Sequence, residues 1–258
     1  MRFAGRTVLV TGSSSGIGLA TAKAFAAEGA AVVMSSTNAD ELSAAATDVA
    51  ASRIGDAPPP LAIVSDVSNE ADWHDLRSQV MQRFGVLDVL VNNAGVGFRG
   101  TVLDTDVETW DRLFSVNVRG VFLGCKTFLP SMTERRKGAI VNVSSVAGHA
   151  IAMPHRAAYV ATKGAVNALT KSLAIDHSAD GIRINAVAPG TTDSPYFQKF
   201  QPDHGNLDEY RSMLANRQLM KRMADPGEIA SAIVWMASDE ASFCTGTILD
   251  VDGGWSVW

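Results

Sequence analysis

Tyr159 and Lys163 stand four residues apart in Tyr159-Val-Ala-Thr-Lys163, and Ser144-Ser145 precede the tyrosine by fifteen and fourteen residues. From Ala157 onward small and apolar residues recur in helical spacing, with Gly164 the one breaker before Leu169. Positions i and i+4 share a helix face, so the phenol and the ammonium can point the same way. A free phenol titrates near pH ~10, so exchanging protons near neutrality needs a fall of ~3 pKa units, or ~4 kcal/mol. A cation held close favours the phenolate and moves the pKa in that direction. Upstream, Gly138-Ala-Ile-Val-Asn-Val-Ser-Ser145 is an apolar run of strand length that ends in two hydroxyls. Open parallel sheets bind ligands at strand carboxyl ends, where these hydroxyls would meet Tyr159. A tyrosine, a lysine and a serine so placed can move a proton to or from a substrate oxygen. A lone Tyr-x3-Lys recurs by chance, so the weight falls on the elements around it.

Those elements form a repeating α/β pattern. Thr7-Val-Leu-Val10 is a short strand, followed by Gly12-Ser-Ser-Ser-Gly16-Ile17-Gly18 and a helix over 19–28 stopped by Gly29. A glycine turn between a first strand and a first helix aims backbone N–H groups and the helix dipole at an anion. Its Gly-x3-Gly-x-Gly spacing differs from the GxGxxG dinucleotide fingerprint, and its position in the pattern favours a pyrophosphate site. The spacing predicts strands at 31–35, 61–64, 86–91, 139–143, 182–187 and 247–251. Helices are expected over 38–53 with Asn38 as N-cap, from Ser68 as cap to Phe84, over 107–132, over 157–177 and over 226–237. Continuous apolar strands alternating with helices predict a parallel sheet covered on both faces. The stretch 191–222 breaks the rhythm with prolines and aromatic residues after a strand's carboxyl end, the place for a substrate lid.

Composition bounds the reading. The chain has 258 residues, 47% hydrophobic and 19% charged, enough for one large core and no second domain. A net charge of −5 gives no footprint for nucleic acid or an anionic membrane surface. No secretory leader pattern stands at Met1-Arg-Phe-Ala-Gly, and no apolar stretch reaches membrane-spanning length. Cys125 and Cys244, far apart in apolar surroundings, suggest neither a disulfide framework nor a metal site, so the reduced cytoplasm is the expected compartment.

In this order the motifs resemble the short-chain dehydrogenase/reductase family, in its single-domain form. The likeness covers residues 6–254 through Thr11-Gly12-x3-Gly16-Ile17-Gly18, Asp66-Val67, Asn92-Asn93-Ala94-Gly95, Asn117, Ser145, Tyr159-x3-Lys163, Pro189-Gly190 and Asp252-Gly253-Gly254. It implies one Rossmann-like, doubly wound α/β domain over 1–258, with a central, mainly parallel, seven-stranded sheet and a lid at about 191–222. It also implies hydride transfer between nicotinamide and a secondary alcohol or ketone. Tyr159 would be the acid/base, Ser145 would donate to the substrate oxygen, and Ser144 stands as a fallback. Lys163 would lower the Tyr159 pKa and hold the ribose, and Asn117 would hold a relay water. Gly12, Ser14, Ser15, Gly16, Ile17 and Gly18 would line the phosphates, and Ser36, Thr37, Asp66 and Val67 the adenosine. Asn93, Ala94 and Gly95 would follow the ribose, and Pro189, Gly190 and Thr192 the nicotinamide. The family implies a homotetramer built on the long helices and on the last helix and strand, which the apolar tail ending in Trp258 would join.

Three departures stand out. The Ser145–Tyr159 spacing is one residue longer than usual, with the extra residue in 148–156. The end of the second strand, Ser35-Ser36-Thr37, has neither an acid for a ribose 2′-OH nor an arginine for a 2′-phosphate, and Ser15 stands where many NADP enzymes of the family have a basic residue. NADP or NAD is the expected cofactor, with a slight lean to NADP. Ser194 stands where the family often has threonine. A small alcohol or ketone is the expected substrate, with no nucleic-acid, membrane or metal partner. Its contacts are expected from Val96, Phe98, His149, Met153, His155, Tyr196, Phe197 and Trp255. Two alternatives stand beside this. One is a 3-oxoacyl thioester reductase, with Arg135-Arg136-Lys137 facing an acidic carrier. The other is a catalytically silent dinucleotide-binding scaffold, which need not keep all four of Asn117, Ser145, Tyr159 and Lys163.

Overall fold

The strands are β1 (Thr7–Thr11), β2 (Ala31–Ser36), β3 (Leu61–Val64), β4 (Val89–Asn92), β5 (Gly138–Val143), β6 (Ile182–Pro189) and β7 (Ile248–Val251). They form one sheet in the order β3-β2-β1-β4-β5-β6-β7, every neighbouring pair parallel. The structure, a computed structural model, describes residues 1–198 and 206–257, without the side chains of Phe197 and Gln198.

Between the strands lie α1 (Gly16–Ala27), α2 (Ala39–Ala51), α3 (Glu70–Phe84), α4 (Val107–Phe114), α5 (Gly120–Arg135) and α6 (Ala157–His177). Then come α7 (Pro195–Gln198), α8 (Leu207–Ala215) and α9 (Pro226–Ala237). Successive strand residues face opposite sides. In β1, Val8 and Val10 pack with Phe25, Leu42, Val49, Ile229 and Ile233 under α1, α2 and α9. Leu9 faces the other way, with Trp73, Leu76, Phe128, Met132 and Val166 under α3, α5 and α6. The edge strand β3 leaves Ala62 and Val64 exposed, whereas β1 and β4 are buried throughout. Among the described residues no helix is long and apolar enough to cross a membrane.

The helix ends follow local chemistry. Asn38 caps α2, its side chain accepting from the Asp40 and Glu41 N–H groups at 3.1 Å each. Asp225 and Glu228 close a capping box on α9, with Pro226 in its first turn. At the other end of α9, Arg183 from β6 donates to the carbonyls of Met236, Ala237, Ser238 and Ala241. The expected Ser68 cap is not made: Asn69 caps α3, and the Ser68 hydroxyl donates to Asp66 Oδ1 at 2.7 Å. Strand β4 starts at Val89, later than expected, although the Asp88 backbone bonds Thr7 and Ala139, and the Asp88 carboxylate also accepts from the Thr7 N–H and from Arg135. The helix expected over 107–132 is interrupted by a π turn at Ser115–Arg119, which carries Asn117. The stretch 191–222 holds α7 and α8, and Asn206 caps α8.

Buried polar groups tie the sheet to α6. Asn92 Nδ2 donates to Asn142 Oδ1 at 2.9 Å, and Asn142 Nδ2 donates to Thr170 Oγ1 at 2.9 Å. An unpaired amide would be costly there, so this chain fixes the register of α6, and with it Tyr159, on the sheet.

Candidate active site

The strand order reverses between β1 and β4, and the cleft opens at their carboxyl ends, where doubly wound sheets bind ligands. It holds about 700 Å³. One wall begins at Gly12, whose φ of 63° lies in the left-handed region that glycine favours. A Cβ there would fall 2.8 Å from Ala94 Cα, so only glycine lets the turn after β1 pass this close to the segment after β4. At Gly18 a Cβ would fall 2.1 Å from the Gly12 carbonyl oxygen. Thr11 joins the two segments: its Oγ1 accepts from the Asn93 and Ala94 N–H groups at 3.0 and 3.1 Å.

Helix α1 begins here with N-cap Ser15, whose side chain makes no capping hydrogen bond, and its first turn has no acidic residue. Helices α2, α3, α4, α8 and α9 all have side-chain caps. The free N–H groups of α1 open into the cleft, so its chemistry fits a dinucleotide pyrophosphate. Ser14, Ser15, Gly16, Ile17, Ser36, Thr37, Asp66, Val67, Asn93, Ala94, Gly95, Pro189, Gly190 and Thr192 line the same cleft. Some are partly engaged. The Asn93 amide donates to the Thr11 and Gly12 carbonyls at 2.9 and 3.0 Å, and Asp66 Oδ1 accepts from the Ser68 N–H at 2.8 Å. The sequence reading missed Glu41, in the first turn of α2. Its Oε2 lies 3.4 Å from Ser14 Oγ, which is itself 3.0 Å from Ser36 Oγ. An acid five residues past the end of β2 was the available signal.

At the other end stand Tyr159, Lys163 and Ser145. The two serines have separate tasks. Ser144 Oγ donates to the Lys163 carbonyl at 3.3 Å, whereas Ser145 Oγ accepts from the Ala147 N–H at 3.2 Å and acts on the Tyr159 phenol. Lys163 is buried, and its Nζ donates to the Val143 carbonyl at 2.9 Å, 5.8 Å from the Tyr159 ring centroid. Burial lowers its pKa to about 8. The expected depression of Tyr159 by Lys163 is not found. Burial pushes the phenol up, against the Ser145 hydrogen bond and the charge of Arg156, the cation that acts on it. The i,i+4 spacing shares a face, but the ammonium is drawn to the end of β5.

Asn117 lies behind the cleft. Its Nδ2 donates to the Val96 carbonyl at 2.9 Å and to Thr162 Oγ1 at 3.0 Å, and its Oδ1 accepts from the Val96 N–H at 2.8 Å. The side chain thus clamps the segment after β4. A π turn is the kind of local departure often found at functional sites.

Of the expected substrate contacts, Val96, Met153, Tyr196 and Trp255 line the cleft. His149 does not: its Nε2 lies 3.7 Å from Asp250 Oδ2 on β7. His155 does not either, being exposed in a left-handed turn with φ 56°. The N–H groups of His149, Ala150 and Ile151 all donate to the Val146 carbonyl in a tight turn at this point of the loop. Phe98 contributes its carbonyl, which accepts from Arg156, and its ring does not line the cleft. The Phe197 side chain and Trp258 lie outside the described structure. Arg156 and Arg217, which the sequence reading passed over, both face the cleft.

A family model described as enoyl-(acyl carrier protein) reductase matches residues 12–256, and the chain belongs to the short-chain dehydrogenase/reductase family. The 2-keto-3-deoxy-L-fuconate dehydrogenase of Xanthomonas campestris pv. campestris is 38% identical over 258 residues, covering 99% of this chain and 81% of that protein. The cis-4-hydroxycyclohexanecarboxylate dehydrogenase of Sinomonas cyclohexanicum is 40% identical, covering 98% of each. The crystal structure of levodione reductase matches with a TM-score of 0.94 at 35% identity, over 98% of each chain. This protein is an oxidoreductase that transfers a hydride between a nicotinamide dinucleotide and a secondary alcohol or its ketone.

Proposed function

We propose that Tyr159 is the acid/base of this dehydrogenase, with Ser145 on the same substrate oxygen and Lys163 fixing the ribose. The observation that carries this is that Tyr159, Ser145 and Lys163 line one cleft with the uncapped start of α1, with Ser145 near enough to the phenol to act on it. When bound, the dinucleotide supplies the hydride for ketone plus reduced nicotinamide plus a proton going to alcohol plus oxidised nicotinamide, and takes it in reverse. Tyr159 donates the proton to the carbonyl oxygen, and a phenol kept protonated by burial suits that direction. Ser145 donates a hydrogen bond to the oxygen as charge develops on it. The second acceptor position of Asn117 Oδ1 holds a water that replenishes the proton. The stretch 191–222 acts as the lid. Replacing Tyr159 with Phe keeps the ring and should cost at least ~10²-fold in turnover, with dinucleotide binding nearly unchanged. Near-normal turnover of that variant on a panel of secondary alcohols and ketones would sink the assignment.

For the cofactor, the hydroxyls of Ser14, Ser36 and Thr37 alone favour a slight lean to NADP. The Glu41 carboxylate beside Ser14 reverses it, since it opposes a 2′-phosphate and suits a ribose hydroxyl, so NAD is the proposed cofactor. A homotetramer is proposed from the family and from exposed Trp110 and Phe122 on α4 and α5, to be checked by light scattering. The free thiols Cys125 and Cys244 suit the cytoplasm.

A further inference from the structure

The two ends of the cleft differ in charge. Among its described lining residues the acids are Glu41 and Asp66, beyond β2 and β3, and the cations are Arg112 on α4 together with Arg156, Arg217 and Lys163, which follows Tyr159 by four residues on α6. Arg156 immediately precedes α6, three residues ahead of Tyr159, and is 7% exposed. Its Nη1 donates to the Phe98 carbonyl at 3.2 Å, its guanidinium hydrogen-bonds Tyr196, and its charge reaches the Tyr159 phenol. Arg217 stands with its guanidinium carbon 5.4 Å from the Trp255 ring centroid. Burial lowers its pKa, Tyr210 acts in favour of its charge, and the neighbouring charges of Arg156 and Arg99 act against it. Both guanidiniums face the cleft and are partly desolvated, so an anionic group bound there would be attracted by two like charges.

We infer that the substrate carries an anionic group, a carboxylate in its simplest form, that lies against Arg156 and Arg217 while its reacting oxygen lies against Tyr159 and Ser145. This rests on the dehydrogenase reading above and narrows its substrate class. A planar guanidinium takes a carboxylate through two parallel N–H···O bonds, which fixes orientation as well as adding affinity. Arg156 is held by Phe98 and Tyr196, and Arg217 lies against Trp255, so both are largely pre-organised. Met153 and Trp255 supply apolar surface for the carbon chain between the two polar ends. A substrate held at both ends presents one face to the hydride, so the same contacts set stereochemistry.

The test compares 4-oxopentanoate and 5-oxohexanoate with 2-pentanone and 2-hexanone, at fixed ionic strength, with each reduced dinucleotide. The better acid should exceed its neutral partner at least tenfold in kcat/KM. Arg217→Leu should cut that ratio at least tenfold, chiefly through KM, and Arg217→Lys should restore part of it. A ratio near one, or one that Arg217→Leu leaves alone, overturns the inference. Calorimetric titration of the same acids and ketones into enzyme saturated with oxidised dinucleotide, where no ketone reduction occurs, gives the second readout. Binding of an acid at least tenfold tighter than its ketone, lost in Arg217→Leu, supports the anion site whatever the rates. Equal binding overturns it. If an acid binds so and no ketone or alcohol of a broad panel reacts, the dehydrogenase assignment of Tyr159 fails while the anion site stands.

Discussion

Replacing Lys163 with methionine should stabilise the unliganded protein while abolishing its catalysis. Methionine is of similar length and keeps most of the packing, but it removes a charge that the fold holds inside. Lys163 is 6% exposed, and burial lowers its pKa from 10.5 to about 8. At about 1.36 kcal/mol per pKa unit that is a cost of ~3 kcal/mol for keeping the charged amine folded at neutral pH. Loss of the hydrogen bond to the Val143 carbonyl returns ~1 kcal/mol or a little more. The net gain at pH 7 is therefore about 1–2 kcal/mol. The unfolded lysine keeps its proton to about pH 10, whereas the folded one loses it near 8. Between those values the unfolded state binds more protons, so wild-type stability climbs with pH and the variant's gain should shrink and then reverse. Urea unfolding of both proteins without dinucleotide at pH 7, 8, 9 and 10 measures this directly. A variant less stable at pH 7, or a difference that does not change with pH, would refute the reasoning.

Further outcomes follow from the same contacts. Glu41→Gln should raise kcat/KM with NADP relative to NAD by roughly tenfold, about 1.4 kcal/mol. A wild-type enzyme that already strongly prefers NADP would show that Glu41 does not act on the 2′ position. Asn142→Ala leaves Asn92 and Thr170 without their shared partner and should cost ~1–3 kcal/mol, read as a lower urea midpoint. Arg183→Met removes four bonds to the end of α9 and should lower the thermal midpoint while leaving KM for the dinucleotide within about twofold; the four carbonyls lie far from the cleft. Above pH ~8 the activity of the wild type in ketone reduction should decline as Lys163 loses its proton, a limb to be read from kcat/KM between pH 6 and 10.

The sequence by itself determined what depends on near neighbours along the chain. The i,i+4 pair on α6, the glycine turn before α1, the Asn38 cap and the Asp225–Pro226 start of α9 are local, and each stands where its residues predict. The apolar strands alternating with helices carried the parallel sheet for the same reason, because burial on both faces leaves no polar alternation. What only the tertiary structure decided involves residues brought together by the strand order. Ser145 and not Ser144 is the serine that acts on the Tyr159 phenol, since the Ser144 hydroxyl donates to the α6 backbone. His149 leaves the cleft for Asp250, a partner on the far edge strand. Glu41 reaches Ser14 across the end of β2, and Arg217 reaches Trp255 from a stretch whose helices the sequence pattern did not predict. Tyr159 is pushed up by burial, with the Arg156 charge acting the other way, because desolvation and charge act through space and carry no period along the chain.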